Sequence, residues 1–239
     1  MSAAKTHRKP KIAVLGTRGP CTSGGIQTLC LELYPRLADE FDITVYARHP
    51  YVDKSVREVN GIRVRHMPTV NDKHMEAFVH TFFATLHAIA GPADILHYHA
   101  QGPAIFTWLP RLLAPRKKIV YSCHGVDWQR AKWNPVAKGV IRAGEWCSAR
   151  FPHLKFACSK TLVRHYQDHY GVEALFIPNG TEDWPEAPAA EIWERFGLEP
   201  GQYLLFLGRL VPEKAVHELV EAYMGLSREE RNGLKLVVA

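Results

Sequence analysis

Two cations follow a short apolar run near the end of the sequence. Gly208, Arg209 and Lys214 lie in the turn after Tyr-Leu-Leu-Phe-Leu, a predicted strand. Pro212 and Glu213 suit the first turn of a helix, because proline fits there and an acid interacts favourably with the helix dipole. A strand, a glycine turn and a helix N-terminus direct backbone N–H groups and both cations to one place. The segment therefore predicts a binding site for a diphosphate.

A glycine-rich loop follows the first apolar strand. It runs from Gly16 to Gly25 as Gly-Thr-Arg-Gly-Pro-Cys-Thr-Ser-Gly-Gly. Glycines between a strand and a helix allow the backbone to approach a ligand closely, and the next helix points its positive end inward. The spacing is neither Gly-x-Gly-x-x-Gly nor that of a P-loop, so an ordinary dinucleotide or ATP site is not supported. A purely structural loop is the alternative interpretation.

Histidines stand at the ends of two predicted strands. The strand 118–123 runs into His124, with Asp127 close behind, and ligands of open α/β sheets bind beyond the carboxyl ends of strands. A loop histidine that bonds only locally is the alternative. His97 and His99 share one face of their strand. No third ligand has convincing spacing, so packing or hydrogen bonding is favoured over a metal site, and no metal is expected.

Tryptophans and basic residues are mixed between positions 128 and 150. This segment contains Trp128, Trp133, Trp146, Arg130, Lys132, Lys138, Arg142 and Arg150. Such a mixture would suit an anionic membrane surface. The favoured interpretation is a helix with a buried aromatic stripe and a solvated basic face, since most amphipathic helices face a core. Nothing resembles a nucleic-acid-binding module, so no nucleic-acid partner is expected.

Composition limits the class of protein. The 239 residues are 46% hydrophobic and 23% charged, which is ordinary for a globular protein. The net charge of +6 favours an anionic partner without requiring one. The five cysteines include no Cys-x-x-Cys pair and read as reduced thiols. Without an apolar secretory leader or a spanning segment, the sequence predicts a cytoplasmic protein.

Strands alternate with helices along the chain. Strands are predicted at 11–16, 42–48, 62–67, 95–99, 118–123, 155–159 and 174–178, and helices near 25–38, 73–90, 103–113, 136–150 and 160–170. A helix between the strands at 42–48 and 62–67 is doubtful, because their connection is rich in turn residues and ends in Asn60-Gly61. The alternation predicts an α/β fold, a Rossmann-like, doubly wound parallel sheet.

Composition changes between 182 and 200, where three prolines surround a short helix predicted near 189–197. A second pattern follows, with strands at 203–207 and 234–239 and a helix at 213–226. We therefore expect a complete Rossmann-like domain over 1–183, then a linker and the start of a second such domain over 184–239. The last apolar strand lacks the helix that should cover it, which predicts an incomplete sequence.

In chain order these segments resemble the family-4 glycosyltransferases of the GT-B fold, and most of all the bacterial subgroup with rhamnosyltransferase-like N-terminal domains. The resemblance covers nearly the whole chain. The matching segments are Ile12–Gly19, Gly24–Thr28, His124–Trp133, Cys158–Ser159, Ile177–Gly180 and Leu207–Lys214.

The resemblance implies retaining, metal-independent transfer of a hexosyl or rhamnosyl group from a nucleotide-sugar to a glycan or lipid-linked acceptor. The implied reaction needs no cofactor. The resemblance also implies a cytoplasmic enzyme, with peripheral contact to an anionic membrane as a further option. His124 would contact the transferred sugar, and Arg209 and Lys214 would bind the diphosphate. The residues implied to bind donor or acceptor are Gly24, Gly25, Gln27, Asp127, Asn179 and Gly208.

Three departures from the family pattern stand out. Gln27 replaces a usual glutamate, and Ala215 replaces the glycine that usually follows the lysine. The family's Glu-x7-Glu motif would lie beyond position 239. Two other functions stay open: a GT-B-shaped epimerase or phosphorylase, and a non-catalytic module that binds an acceptor or a membrane.

Overall fold

The computed structural model describes residues 8–21, 24–72, 75–181, 183, 185–186, 188 and 190–239. The chain forms two compact units, Met1–Asn179 and Gly180–Ala239. Parts of several predictions fall outside the described residues: positions 1–7 and 182 of the predicted first domain, Thr22 and Ser23 of the glycine loop, positions 73–74 and 189 of two helices, and positions 184 and 187 of the linker.

The first unit is built on one sheet. Its strands are β1 (Lys11–Leu15), β2 (Asp42–Ala47), β3 (Glu58–Val59), β4 (Ile62–His66), β5 (Ile95–His99), β6 (Lys118–Cys123), β7 (Leu154–Ala157) and β8 (Leu175–Phe176). Its α-helices are α1 (Gly25–Arg36), α2 (Glu76–Ala90), α3 (Trp108–Leu113), α4 (Pro135–Arg150) and α5 (Lys160–Tyr170). The strand order is β3-β4-β2-β1-β5-β6-β7-β8. Among the described strands of this sheet, only the pairing of β3 with β4 is antiparallel. The predicted α/β fold with a mostly parallel sheet is confirmed.

Helices cover both faces of this sheet, as a parallel sheet requires. On one face, α2, α3, α4 and α5 pack against a core that contains Leu15, Leu96, Tyr98, Ile119 and Tyr121. On the other face, α1 packs through Cys30 and Tyr34 against Val14 and Val45. Successive residues of each strand point to opposite faces. The odd-numbered residues of β5, which include His97 and His99, therefore lie on the α1 face.

The connection from β2 to β4 contains no helix, as the sequence predicted. Instead, β3 and β4 form a hairpin around Asn60 and Gly61, whose φ angles are 49° and 79°. Two successive positive φ angles define the type I′ turn, which Asn-Gly favours. The segment between β2 and β4 therefore supplies no helix to cover β4.

The helix predicted over 103–113 is interrupted. A short 3-10 helix, Pro103–Phe106, precedes α3, with Thr107 between them. Pro110 accounts for the interruption, because a proline has no N–H to donate to the carbonyl of residue 106 and is tolerated only in the first turn of a helix. Just before this segment, α4 lies directly on the backbone of residues 101–102. A Cβ atom added to Gly144 of α4 would sit 2.0 Å from the Gln101 carbonyl oxygen. Only glycine fits at this crossing.

The second unit contains α6 (Ala190–Phe196), β9 (Tyr203–Phe206), α7 (Val216–Gly225), α8 (Arg228–Arg231) and β10 (Lys235–Val238), with β9 and β10 paired in parallel. The prediction that Pro212 and Glu213 begin the long helix was wrong. Pro212–Lys214 form a 3-10 turn, and Ala215 has a φ of 51° before α7 begins. The left-handed conformation of Ala215 interrupts the helix and costs about 1 kcal/mol of conformational energy. It is also the position where glycine was expected.

Candidate functional site

The carboxyl ends of β1, β5 and β6 meet at one edge of the sheet, because these parallel strands are neighbours in the order β1-β5-β6. The loops that begin at Gly16, Ala100 and His124 follow them. Gly16 has a φ of 85°, and a Cβ atom there would lie 2.3 Å from the His99 carbonyl oxygen. The glycine loop and the end of β5 are therefore in direct contact.

The glycines of the first loop differ in their surroundings. Gly19 has a φ of 115°, and a Cβ atom there would lie 2.8 Å from side-chain carbons of Ala47 and Val52. For Gly16 and Gly19 the structural interpretation therefore suffices. A Cβ atom on Gly24 would lie 2.8 Å from the side-chain oxygen of its neighbour Gln27, which is buried. A Cβ atom on Gly25 would meet nothing within 4 Å, so among the glycines of this loop Gly25 leaves room for a ligand.

A buried ion pair supports this loop from behind. Arg48, just after β2, donates from Nε to the Thr17 carbonyl oxygen at 3.1 Å. Its guanidinium pairs with Glu76, the first residue of α2, and both side chains are about 10% exposed. Tyr51 adds a hydroxyl bond to Glu76 Oε2 at 3.2 Å. Burial lowers the pKa of Arg48, and Glu76 opposes this effect.

Five side chains form a continuous hydrogen-bonded chain on the α1 face. Tyr34 Oη lies 2.9 Å from His97 Nδ1 and 2.7 Å from His99 Nε2. His97 Nε2 lies 2.8 Å from Ser122 Oγ, and His99 Nδ1 lies 2.9 Å from His124 Nε2. His124 therefore does not stand alone in its loop. It is the end of a polar chain that joins α1, β5 and β6.

The three imidazoles of this chain are held neutral. Burial lowers the pKa of His97 to about 3, with His124 as a lesser cause. Burial lowers the pKa of His124 to about 4. The pKa of His99 falls well below its ordinary value through burial and through the neighbouring His97 and His124. Each ring therefore has one nitrogen that donates and one that accepts near neutral pH.

Glu145 of α4 fixes the loop that contains His124. Its buried carboxylate accepts from Gln101 Nε2 at 3.0 Å and from Trp128 Nε1 at 2.7 Å. Gln101 in turn accepts from the Asp127 backbone N–H at 2.8 Å. His165 Nε2 lies 2.5 Å from the same carboxylate. The loops after β5 and β6 are thus tied to one buried acid.

Asp127 and Asn179 were predicted to bind donor or acceptor, but their surroundings do not indicate a ligand. The carboxylate of Asp127 pairs with Arg130 at 3.1 Å, and burial raises its pKa against the opposing effect of Arg130. Asn179 is exposed after β8, and its side chain bonds to none of the described residues. The structure therefore assigns Asp127 a local ion pair and leaves Asn179 accessible.

In the second unit, Arg209 and Lys214 both lie in the connection between β9 and α7. Both are exposed, and neither side chain pairs with a residue in the described part of the chain. A Cβ atom on Gly208 would make only ordinary contacts at 3.7 Å with the Phe206 ring. Packing within the described chain therefore does not require glycine at 208.

The tryptophan segment is only partly buried. The indole of Trp128 bonds to Glu145, but Trp146 is 53% exposed on α4, and Val136 and Val140 in the first two turns of this helix are exposed as well. The favoured interpretation of a buried aromatic stripe is therefore wrong for Trp146. Within the described residues, no three His, Cys, Asp or Glu side chains are grouped as a metal site would need. None of the described helices has the length and apolarity to cross a bilayer.

A groove of about 340 Å³ lies away from this edge, at the start of β1. Its lining includes Lys11, Tyr46, Arg63, Arg65 and His87. It opens where the connection from β2 to β4 supplies no covering helix, and it contains none of the predicted site residues.

Sequence reasoning missed Tyr34, the Arg48–Glu76 pair and the Gln101–Glu145 pair. The His-x-His spacing on β5 did indicate two histidines on one face. Tyr34 lies 63 residues from His97, and Gln101 lies 44 from Glu145. No local pattern signals such distant partners.

A family model for Glycosyltransferase Family 4 matches residues 23–183. Sucrose-phosphate synthase from Thermosynechococcus elongatus is a similar solved structure, with a TM-score of 0.68 and 14% identity over 96% of this chain and 62% of that one. WaaG, a glycosyltransferase involved in lipopolysaccharide biosynthesis, has a TM-score of 0.64 and 17% identity over 95% of this chain and 62% of that one.

A third similar structure is Arabidopsis thaliana UGT89C1 complexed with UDP, with a TM-score of 0.52 and 14% identity over 97% of this chain and 66% of that one. No curated protein sequence matches the chain. The chain spans 62% of the length of the first two structures, and these likenesses concern the fold alone. The chain belongs to glycosyltransferase family 4, and its fold is that of the GT-B class.

Proposed function

We propose that the whole protein transfers a sugar from a nucleotide-sugar donor to a glycan or lipid-linked acceptor, with retention of configuration and without a metal. The observation that carries the proposal is the family match over residues 23–183, which includes Gln27 and His124. In this proposal 1–183 is the acceptor-side domain, and 184–239 is a linker and the beginning of the nucleotide-sugar-binding domain.

The donor diphosphate binds in the connection between β9 and α7. Arg209 and Lys214 are exposed cations without partners among the described residues, so both remain available to an anion. Gly208 allows the backbone to approach the phosphates. When the glycosidic bond to the diphosphate breaks, negative charge grows on the leaving oxygen. Cations bound to the diphosphate stabilise that charge more in the transition state than in the ground state.

The sugar and the acceptor bind at the carboxyl edge of the first unit. His124 contacts the transferred sugar. Gly24, Gly25 and Gln27 contact either the donor phosphates or the acceptor. Open space at Gly25 supports this assignment. Asp127 positions the loop through its backbone bond to Gln101, and the exposed Asn179 is a further binding residue.

The test is an assay of the whole protein with a panel of UDP-, GDP- and dTDP-sugars. We expect transfer, or slow hydrolysis of the donor, with at least one of them. Arg209→Ala and Lys214→Ala should each lower turnover by about 10²-fold, as expected when a charge-stabilising group is lost.

Arg228→Ala is the matched control, because Arg228 is an exposed cation of the same unit on α8. It should retain wild-type turnover. Inactivity with every donor would remove the proposed function. Wild-type rates in both the Arg209 and Lys214 variants would remove only their role. An epimerised nucleotide-sugar, or phosphate-dependent cleavage of a glycan, would identify the other enzyme classes.

We further propose that α4 touches an anionic membrane on which a lipid-linked acceptor resides. Its exposed face carries the apolar Val136, Val140 and Trp146 next to Arg142 and Arg150. Apolar side chains flanked by arginine match a surface of anionic headgroups over acyl chains.

Sedimentation with liposomes tests this contact. The whole protein should pellet with phosphatidylglycerol vesicles and stay in solution with phosphatidylcholine vesicles. Trp146→Ala combined with Arg150→Glu should lower the pelleted fraction several-fold, since both apolar and electrostatic attraction are weakened. Lys54→Glu makes the same charge change on the exposed loop after β2 and should have little effect. Equal pelleting of both variants would contradict the contact through α4.

A further inference from the structure

The chain of side chains from Ser122 to His124 has only two consistent hydrogen-bond directions. A neutral imidazole donates from one nitrogen and accepts at the other. Tyr34 has one hydroxyl hydrogen to donate, between His97 and His99. Once the direction is set at one end, every following ring must adopt the matching tautomer. Ser122 and His124 are therefore coupled through three intervening groups.

In the first direction, Ser122 donates to His97 Nε2 and His97 Nδ1–H donates to Tyr34. Tyr34 then donates to His99 Nε2, and His99 Nδ1–H donates to His124 Nε2. His124 must therefore carry its own hydrogen on Nδ1. Every O–H and N–H between Ser122 and His99 has an acceptor at 2.7 to 2.9 Å.

In the reverse direction, His97 Nε2–H donates to Ser122, and the serine hydroxyl hydrogen needs another acceptor. Ser122 is 9% exposed, and its side chain bonds to no described residue other than His97. A buried donor without an acceptor costs about 1–3 kcal/mol. In the first direction the donor left without a partner in the described chain is His124 Nδ1–H, and this nitrogen is not among the fully buried atoms that lack a partner. Because their pKa values are lowered, the rings of His97 and His124 stay neutral near pH 7, and each keeps one donating and one accepting nitrogen.

We propose that Ser122, His97, Tyr34 and His99 are positioning residues that hold His124 in its Nδ1–H tautomer. Nδ1 of His124 bonds to none of the described residues, and it then presents a hydrogen-bond donor to a ligand. Resting on the proposed function, the partner is an oxygen atom of the bound sugar that accepts a hydrogen bond. The tautomer itself does not depend on that function.

The test is ¹⁵N NMR of the whole protein labelled on histidine, at neutral pH and without donor. His124→Gln assigns the His124 signals. We expect Nδ1 of His124 to give the signal of a protonated ring nitrogen and Nε2 that of an unprotonated one. Tyr34→Phe removes the central hydroxyl, so the His124 signals should shift toward a mixture of the two tautomers.

Tyr46→Phe is the matched control, because the Tyr46 hydroxyl bonds to His87 Nδ1 at 2.8 Å outside this chain of groups. Its His124 signals should equal the wild type. A wild-type His124 protonated on Nε2 would overturn the proposal even if Tyr34→Phe failed to fold, and unchanged signals in a folded Tyr34→Phe would do the same. The spectrum needs no substrate, so inactivity toward every nucleotide-sugar would defeat the proposed function and leave the tautomer assignment standing.

Discussion

Lowering the pH from 7 to 5 should lower the free energy of unfolding by several kcal/mol, because buried histidines cannot accept a proton in the folded chain. Burial, with Arg48 nearby, lowers the pKa of His80 to about 4. In the unfolded chain a histidine has a pKa near 6.5. Between these values the unfolded state binds more protons, so this stability is complete above about pH 6.5 and is lost as the pH falls toward 4.

At pH 5 this difference amounts to about 2 kcal/mol for His80. His99 is fully buried and has the same direction of shift. The pKa values of His97 and His124, lowered to about 3 and about 4, give a contribution of about 2 kcal/mol each by the same relation. Together these groups approach the total stability of an ordinary domain, about 5–15 kcal/mol. Urea unfolding followed by circular dichroism at both pH values measures the loss.

His80→Gln is the informative variant. His80 Nε2 lies 3.1 Å from the Ala47 carbonyl oxygen, a contact that an amide can also make, while its buried Nδ1 has no partner among the described residues. The variant should lose about 2 kcal/mol of the difference between pH 7 and pH 5. His49→Gln, at an exposed loop position, should leave that difference unchanged. Equal stability of the wild type at both pH values would show that these histidines are not held neutral.

Most strands were predictable because each carries a local signal, and β5 and β6 were predicted with their observed bounds. The short β3 and its hairpin with β4 were not predicted, although the connection was recognised as rich in turn residues. Where a boundary was wrong, the backbone of one residue decided it. The break at Thr107 follows from Pro110, which the prediction of one helix over 103–113 did not take into account. The late start of α7 follows from the left-handed Ala215, which sequence reasoning had noted only as a departure from the family pattern.

The positions of the candidate site residues were easier to predict than the buried residues that hold their loops in place. His124 follows a buried strand, which a single sequence reveals. Arg48 and Glu76 look like two surface charges 28 residues apart. Only the packing of α2 against the end of β2 brings them together and buries them. Precise binding sites need such supporting contacts, and here each loop has one. Arg48–Glu76 holds the loop after β1, and Gln101–Glu145 holds those after β5 and β6.

Breaking the buried pair between Arg48 and Glu76 should be among the most destabilising single changes in the first unit. Arg48→Met leaves a carboxylate buried without its cation, and Glu76→Leu leaves a buried guanidinium unpaired. Each should lower the free energy of unfolding by about 3–5 kcal/mol. The double variant should cost clearly less than the sum, because replacing both partners with apolar side chains leaves no unpaired charge. Urea unfolding of the four proteins at pH 7 gives the coupling energy.

Arg63 and Asp42 provide the matched exposed pair, since the Arg63 side chain is 54% exposed. Arg63→Met should cost no more than about 1 kcal/mol, the usual contribution of a surface ion pair. The Arg48 variant should also lose order in the glycine loop, because the bond from Nε to the Thr17 carbonyl goes with the guanidinium. Hydrogen exchange at the Gly19 amide, which bonds to Thr17 Oγ1 at 3.1 Å, should then be faster in Arg48→Met than in Arg63→Met. Additive free energies and equal exchange in both variants would mean that the loop after β1 holds its shape without the buried pair.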